Sequence, residues 1–252
     1  MADTKFPTEV VDLPSTGYFY SEGSSLASGQ VEIKYMTAKE EDILTSQNLI
    51  RKGVVLDKLL ESLIVDKKLN VKEMLIGDKN ALFIASRVLA YGKEYTFEYV
   101  DSVGNTKKHT QDLTKLKDKK IDFSNHEKGK NLFSFKLPQS ERTIEFKLLT
   151  DGDEQEVITE LTQLSKVGGI SKDVTTRLKK MIVSVDDNTD RAYVNGFVDN
   201  EFFTLDSQAF RNYYQDITPD INLNIVVVDD EGEEVEITVP MTVQFFWPSV
   251  KI

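Results

Sequence analysis

The chain reads as an α+β protein. Apolar residues recur at helical spacing over residues 54–65 and again from Ala81 to Leu89. Between residues 94 and 113 the period shortens to two. The same change from helical to strand period returns in the second half. The predicted order is helices, hairpin, helices, hairpin, a likeness of architecture with no residue-level repeat behind it.

Residues 1–30 read as an extended N-terminal arm. Pro7, Pro14, Gly17, Gly23 and Gly29 deny it a continuous helix, and its sparse apolar residues suit a segment lying on the chain's own core or on a partner. Residues 31–92 form a helical region entered through a short strand over 31–36. Thr37 and Glu40 make a T-x-x-E capping box that opens a helix to about Ser46, and Gly53 interrupts. Leu56, Leu59, Leu60, Leu63 and Ile64 mark the next helix. A third takes Asp78 as its cap, carries Ala81, Ile84, Ala85, Val88 and Leu89 on one face, and stops near Gly92.

Residues 93–149 are the β region. Strands over 94–100 and 107–113 flank Gly104-Asn105 as a hairpin, and strands over 132–137 and 143–149 are joined across Pro138-Gln139-Ser140. Residues 150–217 return to helix. Val157, Leu161 and Leu164 mark one helix, ended by Gly168-Gly169. Val174, Leu178, Met181, Ile182 and Val185 mark another, and Phe210, Tyr213, Tyr214 and Ile217 a last one closed by Pro219. Residues 218–252 hold a C-terminal β-hairpin, over 223–228 and 235–239, and an aromatic tail.

Composition excludes several functions. The 252 residues carry 42 acidic against 31 basic side chains, a formal charge of -11. That sign repels phosphate backbones unless the basic residues segregate, and Lys115, Lys117, Lys119 and Lys120 are interspersed with Asp112, Asp118 and Asp122 as in a solvated loop. No nucleic-acid partner is expected. Cysteine is absent, which removes disulfides, thiolate metal sites and cysteine nucleophiles. No apolar run reaches the length of a membrane span, and the N-terminus lacks the pattern of a secretion signal, so the protein is expected to act where it is made.

Catalytic patterns are equally sparse. His109 and His126 lack catalytic neighbours, and His109 reads as a solvent-facing strand residue. Lys166-Val167-Gly168-Gly169 reads as a helix stop rather than a phosphate loop. Asp186, Asn188 and Asp190 begin like a calcium loop, but Arg191 replaces the required glycine and Phe197 the bidentate glutamate, which leaves a polar turn after a helix. Asp229, Asp230, Glu231, Glu233 and Glu234 read as a solvated hairpin turn. No catalytic, cofactor-binding or metal-ligating residue is assigned, and no cofactor is expected. Phe245-Phe246-Trp247-Pro248 is the one candidate interaction segment. Its aromatics either plug the core or anchor a partner, and burial of all three better suits solubility.

Several stretches carry a family likeness. They include Val11-Asp12-Leu13-Pro14-Ser15-Thr16-Gly17, and Met36-Thr37-Ala38-Lys39-Glu40-Glu41-Asp42-Ile43-Leu44-Thr45-Ser46 followed by Lys52-Gly53 and Leu56-Asp57-Lys58-Leu59-Leu60. Gly77-Asp78, Arg87, Tyr91-Gly92, Ile217-Thr218-Pro219-Asp220-Ile221 and Val239-Pro240-Met241-Thr242 continue it, with the aromatic tail. Together they resemble the baseplate hub and hub-assembly proteins of T-even-like contractile-tail phages, over most of the chain. Relatives of that kind often carry a Cys-x-x-Cys knuckle in each of two hairpins, which together make a zinc ribbon. Here the corresponding turns are Asp101-Ser102-Val103-Gly104 and Asp229-Asp230-Glu231-Gly232. The resemblance therefore implies a cysteine-free version of the ribbon, with the hairpins neighbours in space and no stoichiometric zinc.

The same resemblance implies a non-enzymatic tail protein of the hub pathway, either a hub subunit or an assembly factor. Its partners would be other tail or baseplate hub proteins. It would be found in the host cytoplasm during assembly, or in the baseplate if retained. One alternative is a chaperone of the tape-measure protein. A cell-wall hydrolase built on a carboxylate pair is the alternative from another class, and a nucleic-acid-binding regulator the third.

Overall fold

A computed structural model describes residues 7–166, 172–230 and 232–246. The N-terminal arm begins as a strand, β1 (Thr8–Asp12), paired antiparallel with β2 (Gln30–Lys34). Leu13, Phe19 and Leu26 are buried and Ser15 and Tyr20 bond to Asp78, so this part of the arm lies on the core of the same molecule, while Val10 in β1 is exposed. Helices α1 (Ala38–Thr45), α2 (Gln47–Arg51), α3 (Val55–Leu63) and α4 (Ile76–Tyr91) follow. The capping box at the start of α1 is fully formed: Thr37 N–H donates to Glu40 Oε2 at 2.9 Å, which ties the free end of the helix to its own first turn.

Two hairpins and one three-stranded sheet supply the β structure. β3 (Glu94–Val100) pairs with β4 (Thr106–Asp112), and near the end of the chain β8 (Asn224–Val228) pairs with β9 (Glu234–Thr238). Between them, β5 (Phe133–Lys136), β6 (Thr143–Phe146) and β7 (Ile182–Val185) form a sheet in the order β5-β6-β7, all antiparallel. The helices α5 (Asp151–Lys166), α6 (Asp173–Met181), α7 (Arg191–Asn200) and α8 (Thr204–Ile217) complete the second half.

Three sequence expectations change here. Ile182 and Val185 belong to a strand, not to the preceding helix. Alternating β-branched residues fit a pleated ladder against β6, and that pairing outweighs helical spacing that α6 shares only as far as Met181. Helix α7 had no periodic signal, yet the Asp190 carboxylate accepts Tyr193 N–H at 2.8 Å and caps it. Helix α4 starts two residues before Asp78, at Ile76, so Asp78 lies in the first turn and is not the cap.

Apolar burial divides the protein into two cores. The first gathers Leu13, Leu26, Ile33 and Leu44, then Leu59, Leu60 and Leu63 of α3, the inner faces of both hairpins, and Phe245 and Phe246. The second gathers Phe133, Phe146, Phe197 and Phe210 with Leu137, Ile144, Ile182 and Val194, and borrows Phe19 and Leu75 from the first half. The first lobe is therefore built from two separated stretches of chain, and the second is inserted between them. Gly77 marks how closely they approach. A Cβ on it would stand 2.0 Å from the Pro219 carbonyl oxygen, so only glycine lets α4 lie against the segment that returns from the second lobe.

Candidate functional site

The two hairpin turns are built alike. In the first, Asp101 N–H donates to Asn105 O at 2.9 Å, Gly104 N–H donates to Asp101 O at 3.1 Å, and the Asp101 carboxylate accepts Asn105 N–H at 2.6 Å. In the second, Asp229 N–H donates to Glu233 O at 3.0 Å, Gly232 N–H to Asp229 O at 3.1 Å, and the Asp229 carboxylate accepts Glu233 N–H at 2.9 Å. Gly104 and Gly232 sit at φ 89° and 84°, the left-handed region that closes each turn. Each turn is thus a knuckle whose aspartate side chain holds the loop, which explains the D-x-x-G spacing in both.

The knuckles touch. Ser102 Oγ donates to Asp229 Oδ2 at 2.5 Å, and Lys107 Nζ pairs with Asp230 Oδ2 at 2.5 Å. Asp101 and Asp229 are both buried. Asp229 therefore departs from the solvated turn expected of it, because its carboxylate is the hinge point between two hairpins far apart in sequence. Among the described residues no group of three or more His, Asp or Glu side chains is placed to hold a metal ion. Hydroxyl, carboxylate and ammonium groups make the join.

Of the C-terminal aromatics, Phe245 and Phe246 lie inside. Phe245 meets Tyr95 edge-on at 4.8 Å between ring centroids, and Phe246 meets Phe83 at 5.7 Å. Trp247 and Pro248 lie outside the described residues. Arg87, 3% exposed, clasps the segment. Its Nε donates to the Phe245 carbonyl at 2.8 Å, while its other nitrogens donate to the Gly92 and Glu94 carbonyls at 3.1 and 3.3 Å. The guanidinium also lies 5.0 Å from the Tyr91 ring centroid, so α4, β3 and the chain's last described turn meet at one side chain.

A second polar junction joins the lobes. Asp78, wholly buried, accepts Ser15 N–H at 2.9 Å, Ser15 Oγ–H at 2.6 Å and Tyr20 O–H at 2.5 Å. The Tyr20 hydroxyl accepts Leu75 N–H at 2.8 Å, and burial beside Asp78 pushes its ionisation far up. Lys79 pairs with both Asp57 and Asp151, and Gln155 bridges the same two carboxylates at 2.8 Å each. The Asp78 contacts tie the N-terminal arm to α4, and the Lys79 and Gln155 contacts tie α3 and α4 of the first lobe to α5 of the second.

The remaining candidates resolve into structural roles. Asp186 accepts the Arg142 guanidinium at 2.6 Å and Thr143 N–H at 2.9 Å, and Asn188 accepts Asp190 N–H at 3.0 Å. The calcium-like oxygens thus close the turn between β7 and α7; the turn follows a strand and not a helix. His109 is half-buried, its ring centroid 5.8 Å from that of Phe97, and His126 packs edge-on to Phe133 at 5.1 Å between centroids. His109 is not the solvent-facing residue expected, because it lies on the face of β4 that turns toward the Phe97 ring. The loop at 115–120 keeps exposed lysines, yet Lys119 N–H donates to Asp220 O and Asn222 N–H to Lys117 O, both at 2.8 Å, which zips it to the returning chain. Val167, Gly168 and Gly169 of the possible phosphate loop lie outside the described residues.

No curated protein and no solved structure gave a match to this chain. A family model described as T4 bacteriophage base plate protein matches residues 8–247, and the chain belongs to that family.

Proposed function

We propose that this phage baseplate protein acts in assembly of the baseplate hub, as a hub subunit or an assembly factor, and that it contributes contact surface and no reactive group. The observation that carries the reading is the family match over residues 8–247, joined to the hub-like stretches from Val11 to Pro248. The chemistry of the buried acids supports it. Asp78, Asp101, Asp151, Asp206 and Asp229 each accept hydrogen bonds or ion pairs that hold the fold together. A general acid or base instead needs a carboxyl group turned into a cleft.

The partners proposed are other baseplate proteins. Among the described residues no helix is long and apolar enough to cross a membrane. Two measurements test the reading. Mass spectrometry of purified virions separates a retained subunit from a factor that leaves, and co-purification of the tagged chain from infected cells identifies its partners. Recovery with no baseplate protein at any stage would end the hub reading. Release of soluble fragments from peptidoglycan by the purified chain, lost on neutralising one carboxylate that leaves folding intact, would end the non-enzymatic one.

A further inference from the structure

The net charge is unevenly placed along the chain. Residues 1–181 hold 28 acidic and 28 basic side chains, whereas residues 182–252 hold 14 acidic and 3 basic ones. No lysine, arginine or histidine occurs between residues 212 and 250, the stretch that contains the hairpin of β8 and β9. The outer faces of the two hairpins differ accordingly. In the first, Glu98 stands opposite Lys108, and Thr96 opposite Thr110 with their hydroxyls bonded at 2.8 Å, so each polar group is answered across the ladder. In the second, Ile225, Val227, Val235 and Ile237 turn to the core, and strand alternation leaves Val226 and Val228 outside, opposite Glu236 and Glu234. Among the described residues no ion pair reaches Glu234 or Glu236.

The exposed apolar residues gather at the same place. Val226 and Val228 are 61% and 63% exposed, and Val100 and Val103, beside the first knuckle, 59% and 60%. These are the four most exposed large apolar side chains among the described residues. Val103 follows Ser102, Val228 precedes Asp229, and Ser102 bonds Asp229, so all four flank one join. Single exposed valines are ordinary, but four around one contact, edged by unanswered acids, make a patch. We propose that the knuckle end of the paired hairpins, with Val100, Val103, Val226, Val228, Glu234 and Glu236, docks a protein partner that presents lysine or arginine beside apolar side chains. The proposal rests on the reading of this chain as a baseplate contact protein, and names the surface it uses. Charge selects the occupant. A second copy would bring the same carboxylates, and nucleic acid or an anionic lipid surface would be repelled by them. A basic partner gains both the steering field and the buried valines.

The test recovers the tagged full chain from infected cells and treats it with a carbodiimide, which joins a carboxylate to an amine it touches without a spacer. Mass spectrometry is expected to find Glu234 or Glu236 joined to lysines of a second baseplate protein, a result that needs no variant. Recovery of that protein should fall about tenfold in the double variant Glu234→Lys, Glu236→Lys, and again in Val226→Ser, Val228→Ser. Glu160→Lys with Asp216→Lys makes the same change of net charge at exposed acids outside the hairpins and should keep the partner. All the substituted side chains except that of Asp216 and Glu160 lie on the outer face of one hairpin, and near-ultraviolet circular dichroism checks that each variant keeps the native fold. Undiminished recovery in either hairpin variant overturns the proposal and leaves the hub reading standing. So do joined pairs that involve only acids elsewhere, or only two copies of this chain. Recovery of no baseplate protein with the unaltered chain overturns both.

Discussion

The two lobes solve the same problem with different materials. The first core is mostly aliphatic and is closed by side chains that arrive from both halves of the sequence. The second is rich in aromatic rings, with Phe146 edge-on to Phe210 at 4.8 Å and Phe135 stacked on Tyr213 at 4.9 Å. All but two of its buried residues fall between 133 and 217. Locality makes the difference. A core assembled from one stretch leans mainly on packing, with Asp206 holding the Gln139 and Ser140 amides, whereas one assembled from distant stretches uses polar clasps to fix where they meet. Hence Arg87, Asp78 and the Ser102–Asp229 contact all belong to the discontinuous lobe or its border.

That contrast can be broken on either side, and packing should dominate. Phe210→Ala removes a wholly buried ring and is expected to cost about 4 kcal/mol in urea denaturation, more than Leu59→Ala in the aliphatic core at about 3 kcal/mol. Equal costs would show that the aromatic lobe has no packing advantage. Arg87→Ala frees the Phe245, Gly92 and Glu94 carbonyls together, with an expected loss of about 3 kcal/mol and earlier proteolysis near the C-terminal segment. Ser102→Ala deletes one hydrogen bond to a carboxylate and should cost about 1.5 kcal/mol, while Ser102→Thr restores most of it.

The smallest effect is a pH dependence at the capping box. Burial works against ionisation of Glu40, but hydrogen bonds from Lys34, Ser62 and Thr37 outweigh it and hold the carboxyl down to about 2. A depressed value means stability that is complete above the unfolded value near 4.5 and lost as pH falls toward 2. Denaturation midpoints of Glu40→Gln should therefore lie below those of the unaltered chain at pH 6 and converge with them near pH 2. Parallel curves over that range would show that the box carries no linked proton.

Local chemistry was legible in the sequence and distant chemistry was not. The capping box at Thr37 and Glu40, the turn at Gly104-Asn105 and the helix over α3 all depend on neighbours within a few residues, and each stands where its pattern put it. Asp78 looked like a cap because its real partners, Ser15 and Tyr20, lie about sixty residues earlier. Asp229 looked solvated because Ser102 is 127 residues away. Helix α7 was hidden for another reason: Asn195 and Gly196 weaken its intrinsic preference, and only the capping aspartate at 190 announced it. The correspondence of the two D-x-x-G turns was read through the family likeness, and the aspartate three residues before a turn glycine is an Asx-type signal in both hairpins that supports it locally.

The insertion of one lobe within the other also sets an order of events during synthesis. The ribosome releases Ile217, the last buried residue of the aromatic core, before Ile237, Val239, Phe245 and Phe246 have been made. The inserted lobe can therefore mature first, while Phe83 and Tyr95 wait with their ring partners, Phe246 and Phe245, still untranslated. For that interval the nascent chain shows an apolar face that the finished molecule never presents.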